Sequence, residues 1–140
     1  MRLTACLLAL LTLSVAPASE AQEPEPGPAE GVDAGGDLFF THCGPCHGKT
    51  AEGDGPVASS LEFVPPDLTR IAIRNGGEFP ADLVRRIVDG RKAVKGHGGP
   101  EMPIWGDAFK TREEGFSEEA VAEKIRAIVS WLATVQKTGE

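Results

Sequence analysis

The strongest constraint on this chain is a five-residue segment, Cys43-Gly44-Pro45-Cys46-His47, in which two cysteines and a histidine stand at fixed spacing. The pattern Cys-x-x-Cys-His is typical of covalent haem attachment. Two thiols at this spacing can each form a thioether with one vinyl group of a porphyrin, and the imidazole that follows can bind the iron. The motif therefore predicts one haem c, attached through Cys43 and Cys46, with His47 as an iron ligand.

Three other interpretations of the motif stay open, namely a dithiol redox site, part of a zinc site, and a structural disulfide. A thioredoxin-like motif should follow a strand in a βαβ pattern, and the sequence has no such pattern. A structural zinc ion usually takes four ligands, and only His42 and His97 are available to join the motif, since Cys6 lies in an N-terminal segment that we expect to be removed. A disulfide between the two cysteines would not require the adjacent histidine. Haem attachment explains all three residues, so we prefer it.

Residues 1–21 have the features of a secretory signal peptide. Arg2 supplies the positive charge, residues 7–15 are apolar, and Ser19-Glu20-Ala21 is a small-x-small cleavage site, with Ala16-Pro17-Ala18 as a second choice. The apolar run is shorter than the roughly 20 residues of a membrane-spanning helix, although an uncleaved anchor is an alternative. We expect a periplasmic protein with no stable membrane insertion after cleavage. Its only cysteines would be those of the motif, and haem attachment uses both.

Composition predicts one small domain after a linker. Residues 22–32 alternate prolines with acidic residues, which favours an extended, disordered linker, and residues 33–138 form the predicted domain.

The chain has 21 acidic and 14 basic residues and a formal net charge of -7, so it lacks the basic stripe that nucleic-acid binding requires. The acidic excess allows docking to a basic protein surface, and it fits a role in solubility alone equally well.

The hydrophobic pattern predicts helices and no strands, so we expect an all-α fold. The first helix is predicted from Asp33, as its N-cap, to His42. Gly35 and Gly36 lower its helix propensity, and they suggest that another backbone crosses the helix closely at this point. Residues 48–69 are rich in glycine and proline and predict a long irregular loop, which is reasonable if it packs against a prosthetic group.

Two further helices are predicted in the second half of the chain. A short one runs from Pro80 to Asp89 and ends at Gly90. The last begins after Ser117 as its N-cap, and its apolar residues recur along one face. These residues are Val121, Ile125, Ile128, Val129, Leu132 and Val135.

The sixth coordination position of a haem iron decides between electron transfer and the binding of gases or peroxide. Met102 is the one methionine left after removal of residues 1–21, and it lies in a glycine- and proline-rich loop rather than on an apolar helix face. Pro103 restricts the backbone of Met102, which would help to aim a weak thioether ligand. We therefore predict Met102 as the second iron ligand. His97 is the alternative and would give a bis-histidine site of lower potential.

Over residues 33–135 the chain resembles the class I monohaem cytochrome c family. The similarity is carried by four stretches: Gly35-x-x-Leu38-Phe39-x-x-x-Cys43-x-x-Cys46-His47-Gly48, Gly53-x-Gly55-Pro56, Pro66-Asp67-Leu68-Thr69 and Met102-Pro103. The resemblance implies a cytochrome c fold, in which N- and C-terminal helices cross and long loops wrap around one covalently attached haem.

The resemblance also implies roles for individual residues outside the motif. Trp131 is expected to pack against the first helix near Gly35 and Phe39. Candidates for contacts to the haem propionates are Arg70, Arg91 and Trp105, each of which equally fits an ordinary surface or packing role.

Together these features predict a periplasmic single-electron carrier with His47 and Met102 as axial ligands. It would convert no substrate and so would not be an enzyme. Expected partners are redox proteins, such as a periplasmic dehydrogenase, an oxidase or a cytochrome complex, and the carrier itself is expected to be a monomer. Alternatives are a haem c subunit permanently docked to a larger dehydrogenase or oxidase, a ligand-binding or peroxidatic haem protein with an open sixth site, and a thiol-redox or structural module without haem.

Overall fold

The computed structural model describes residues 28–92, 102–111 and 117–139. Within these ranges the chain forms helices and no strand, which confirms the all-α prediction. The α-helices are α1 (Pro28–His42), α2 (Gly44–His47), α3 (Ile71–Arg74), α4 (Ala81–Val88), α5 (Trp105–Ala108) and α6 (Glu118–Thr134), and 3₁₀ turns occur at Ala58–Ser60 and Leu68–Arg70. The predicted signal peptide and His97 lie outside the described residues.

Helix α1 begins at Pro28, earlier than the predicted start. Asp33 therefore lies inside the helix and is not its N-cap, and the predicted disordered linker is helical from residue 28 onward. Proline is favoured in a first helical turn because the N–H that it lacks has no helical partner there. Ala29 and Glu30 are good helix formers. The linker prediction was wrong over residues 28–32, because it took Pro28 as a sign of extended chain. Residues 22–27 of the predicted linker lie outside the described residues.

Helix α1 meets α6 at two glycines, which confirms the predicted helix crossing. A Cβ atom on Gly35 would stand 2.0 Å from the carbonyl oxygen of Ala127, so the two backbones approach too closely for any side chain. A Cβ atom on Gly36 would stand 2.9 Å from Nε1 of Trp131. The Trp131 ring packs on Phe39, with ring centroids 4.6 Å apart, and Phe39 is only 1% exposed. The expected packing of Trp131 is therefore confirmed.

Helix α6 supplies most of the hydrophobic core. Ser117 caps it as predicted, because its Oγ accepts a hydrogen bond from the Ala120 N–H at 3.3 Å. Five residues of the predicted apolar stripe are buried: Val121, Ile125, Ile128, Val129 and Leu132. Val135, the sixth, is half-buried at the edge of the core. The α6 stripe packs against α1 and α4.

Helix α4 confirms the second predicted helix to within one residue at each end. Pro80 is its N-cap, and Gly90 has a φ of +86°, a conformation that glycine adopts readily. Residues 48–67 are irregular except for the turn Ala58–Ser60, also as predicted. The prediction missed α2, α3 and α5, because a helix of four residues is too short to show a hydrophobic period.

The loop after the Cys-x-x-Cys-His motif is bonded to the motif through backbone atoms. The N–H groups of Gly53, Gly55 and Val57 donate to the carbonyl oxygens of His47, Cys46 and Pro45, at 2.8, 3.2 and 3.1 Å. A Cβ atom on Gly55 would stand 2.4 Å from the Pro45 oxygen, so this approach requires glycine. The irregular loop therefore fixes the backbone of the motif.

We expect the substitution Gly35→Ala to lower the free energy of unfolding by about 1–3 kcal/mol, because the added methyl group overlaps the Ala127 carbonyl. Urea denaturation followed by circular dichroism measures the change. Gly139→Ala is the matched control, since its Cβ atom would meet nothing nearer than Ile73 at 3.9 Å, and it should change stability by less than about 0.5 kcal/mol. Equal stability of the two variants would mean that α1 and α6 do not approach as described.

Candidate functional site

A cavity of about 340 Å³ lies between the motif, the irregular loop, α3, α4 and α6. This volume is in the range of small-molecule and cofactor sites. Most of the lining side chains are aliphatic, aromatic or proline. The polar, basic and sulfur-containing residues of the lining are His42, Cys43, Cys46, His47, Arg74 and Met102.

The four residues that the sequence analysis selected all line this one cavity. Cys43 stands between α1 and α2, Cys46 and His47 belong to α2, and Met102 lies before α5. The methionine is far from the motif in the sequence, so their meeting results from the fold. His97, the alternative ligand, lies outside the described residues.

Helix α2 places the three reactive residues of the motif on one face. The N–H groups of Cys46 and His47 donate to the Cys43 carbonyl at 3.1 and 2.8 Å, so the chain makes one helical turn here. Residues three and four positions apart share a helix face. Gly48 ends the turn with a φ of +80°, and a side chain there would collide with Asp54. The local backbone thus directs two thiols and one imidazole into the same space.

The two thiols of the motif differ in environment. Cys43 is 7% exposed, whereas Cys46 is half-buried, and neither forms a disulfide. Burial, together with the nearby Cys46, raises the pKa of the Cys43 thiol to about 12, because a thiolate is poorly solvated in this position. Redox-active cysteines are usually partly exposed and have a lowered pKa. The environment of Cys43 therefore disfavours a dithiol redox site.

The segment after Met102 is packed against the end of α4. A Cβ atom on Gly90 would stand 2.4 Å from the Ile104 side chain, and one on Gly106 would stand 2.5 Å from the Asp89 carbonyl oxygen. The Ala108 N–H donates to the Ile104 carbonyl at 3.0 Å, which closes α5 directly after this contact. Met102 itself is half-buried at the cavity.

Of the three residues suggested for propionate contacts, only Trp105 lines the cavity. Its Nε1 atom is buried and has no hydrogen-bond acceptor within the described part of the chain. Arg70 is not part of the lining, and Arg91 instead forms an ion pair with Asp89. The lining contains a different cation, Arg74, which the sequence analysis missed because it did not predict α3.

The Arg74 side chain, on α3, is bonded to the loop segment that precedes this helix. Its Nη2 donates to the carbonyl oxygen of Asp67 at 2.8 Å. The Asp67 carboxylate accepts hydrogen bonds from the N–H and hydroxyl of Thr69. Partial burial alone would raise the pKa of Asp67, but these hydrogen bonds and the charge of Lys137 outweigh it, and the pKa lies below its usual value. The segment that carries the cavity cation is thus locally ordered.

One wall of the cavity is fastened by Gln136, which follows α6. Its Nε2 donates to the carbonyl oxygens of Leu68 and Leu132 at 3.0 and 2.8 Å, and its Oε1 accepts from the Ala72 N–H at 2.9 Å. Leu68 and Leu132 line the cavity. Nothing in the local sequence indicated this role, because the partners of Gln136 are backbone groups distant in the chain.

Lys137 adds a second connection to the same wall. Its backbone N–H donates to the Thr69 carbonyl at 2.7 Å, and its Nζ bonds Glu52 Oε1 at 2.6 Å. This hydrogen bond and the opposite charges lower the pKa of Glu52 and raise that of Lys137. Both side chains are well exposed, so most of the fastening comes from the backbone bond and from Gln136.

No family model matches the chain, and neither a curated protein nor a solved structure matches it significantly. Among the described residues, no helix is both long enough and apolar enough to cross a membrane. The same part of the chain contains no group of three or more His, Cys, Asp or Glu side chains that could hold a metal ion.

We expect Gln136→Leu to lower the free energy of unfolding by about 1–3 kcal/mol, because it leaves partly buried backbone groups without partners. Thr138→Ala, at an exposed neighbouring position, should change it by less than about 0.5 kcal/mol. Urea titrations of both variants make the comparison. A Gln136→Leu protein as stable as the Thr138→Ala protein would show that Gln136 does not fasten the wall.

We also expect iodoacetamide to modify Cys46 faster than Cys43 in haem-free protein at pH 8, because only the thiolate reacts and the Cys43 thiol is buried with a raised pKa. Peptide mapping by mass spectrometry gives the two rates. In 8 M urea, a concentration chosen to unfold the chain, the rates should become similar. Equal rates in the absence of urea would contradict the environment described for Cys43.

Proposed function

We propose that this protein is a single-electron carrier that holds one haem c in the cavity. Cys43 and Cys46 would form the thioether bonds, and His47 and Met102 would be the axial ligands of the iron. The main support is that these four residues, selected from the sequence, line one cavity although Met102 is remote from the motif. The proposal includes a cytochrome c type of fold, to which the crossing of α1 and α6 corresponds.

The residues of the cavity fit a haem in three respects. The apolar lining suits the porphyrin ring, since ligand sites are mostly apolar with a few placed polar groups. The donor set of imidazole and thioether is one that c-type cytochromes use. The buried Nε1–H of Trp105 and the cation of Arg74 suit the propionate carboxylates of such a ligand.

When bound, the haem would supply reversible one-electron chemistry at its iron. His47 and Met102 would hold this group through an imidazole and a thioether, a donor pair that would give a higher reduction potential than two histidines. The bonds from Gly53 and Gly55 hold the motif, and the contacts of Ile104 and Gly106 hold the methionine segment. Ligands fixed in this way need little rearrangement when the charge of the iron changes.

The surface next to the cavity offers a place for a redox partner. Phe63 and Val64 line the cavity and are exposed, Val64 by 81%. Apolar residues at a cavity edge favour contact with another protein. We propose a periplasmic dehydrogenase, oxidase or cytochrome complex as the partner and a monomeric carrier, exported by means of residues 1–21. The net charge of -7 would assist approach to a basic partner surface.

The same exposed apolar residues also favour a second candidate, a haem c subunit permanently bound to a larger enzyme. A free carrier and a bound subunit differ in the size of the native species. Size-exclusion chromatography of a gently prepared periplasmic extract, with detection of haem absorbance, distinguishes them. Elution at the mass of the single chain supports the carrier, and elution in a large complex supports the subunit.

We expect the oxidised protein, produced in cells that attach haem covalently, to show a weak far-red charge-transfer band that depends on Met102. Met102→Ala should abolish the band and allow carbon monoxide to bind the reduced protein, because the sixth position is then open. Val64→Ala, at the exposed cavity edge, is the matched control and should keep the band. A wild-type protein that holds haem but lacks the band would contradict ligation by Met102.

A further inference from the structure

Three aromatic rings connect the end of α1 to the segment that carries Met102. The His42 ring makes edge contacts with Trp105 and Phe109, with centroids 5.3 and 5.0 Å apart and interplanar angles of 60° and 74°. Trp105 and Phe109 also contact each other, at 4.9 Å. Edge-to-face pairs at such distances are favourable because the positive ring edge meets the negative face of its neighbour.

The three rings belong to the two parts of the proposed haem site. His42 directly precedes Cys43, and the Cys43 N–H donates to the Phe39 carbonyl at 2.7 Å. The helical hydrogen bonding of α1 therefore continues to the first residue of the motif. Trp105 begins α5, and the Phe109 N–H donates to its carbonyl at 3.0 Å. The rings therefore join a segment fixed to the attachment motif with a segment fixed to the methionine.

His42 is not an ordinary core residue. It is exposed overall, whereas Phe109, one of its two ring partners, is 4% exposed. It lines the cavity together with Trp105 and Met102. From the side of α4, the methionine segment is held by the contacts of Ile104 and Gly106 described above. Among the described contacts, the His42 ring is the one that joins α1 to the methionine segment, through Trp105 and Phe109.

We infer that His42 is a positioning residue for Met102. Its ring holds Trp105 and Phe109 against the end of α1, and α5 in turn holds Met102 at the cavity, while His42 itself does not bind the iron. The inference rests on the proposed function, because Met102 must be an iron ligand for its position to matter. Removal of the ring should favour a state in which Met102 leaves the iron and an external ligand takes its place.

The test is an imidazole titration of the oxidised holoprotein at neutral pH, with the far-red band reporting methionine ligation. His42→Ala should bind imidazole about tenfold more tightly than wild type, which corresponds to a loss of about 1.4 kcal/mol in the methionine-bound state. His42→Phe keeps a ring and should restore an affinity near that of wild type. Thr41→Ala, an exposed neighbour on α1, is the matched control and should behave as wild type.

Urea unfolding, followed by circular dichroism on the same samples, separates positioning from general stability. A positioning role predicts that the affinity for imidazole changes in His42→Ala but not in a variant that is destabilised outside the cavity, such as Ser117→Ala, which removes the N-cap of α6. If His42→Ala yields no holoprotein, His42→Leu removes the ring at similar size and gives the same comparison.

Two results would overturn the inference alone, provided that wild type shows the far-red band. One is an unchanged imidazole affinity in His42→Ala, and the other is a His42→Phe protein that binds imidazole as tightly as His42→Ala. Absence of the band in wild-type holoprotein is a different outcome. It would refute ligation by Met102, and with it both the proposed function and this inference.

Discussion

The close approach of α1 and α6 at Gly35 is the contact on which the rest of this structure depends. With no side chain between the helix backbones, the Ala127 carbonyl lies directly against α1, and Phe39 can stack on Trp131. Helix α1 ends at the Cys-x-x-Cys-His motif, and α6 leads to Gln136. The crossing therefore sets the position of the motif on α2 relative to Gln136. Gln136 is the residue after α6 that bonds the cavity wall.

The cavity shows how irregular chain can form a defined site. The loop after the motif has almost no regular structure, yet its N–H groups pair with the motif, and its far end pairs with Gln136 and Lys137. Two glycines, Gly55 and Gly106, allow backbone contacts that no other residue would permit. Specific hydrogen bonds and close glycine contacts here position the backbone, as sheet pairing or helix packing does in other folds.

The sequence predicted those features that local patterns encode. The apolar period of α6, its Ser117 cap and the glycines of the crossing each have a recognisable signature, and the structure has all of them. The start of α1 was missed because proline is compatible with both a linker and a first helical turn. Arg74 and Gln136 were missed for a different reason. The role of Arg74 depends on a four-residue helix, and that of Gln136 depends on backbone partners distant in sequence. Neither produces a periodic pattern in the sequence.

The fastening of the cavity wall by Gln136 has a consequence for the order in which the site can assemble. Gln136 follows every residue of the wall in the chain, so a chain that emerges with its N-terminus first presents the motif while Leu68 and Ala72 still lack their partner. The thiols of Cys43 and Cys46 are then accessible before this wall of the cavity is complete. If the motif carries a haem, as proposed, its thiols can be modified before Gln136 completes the wall.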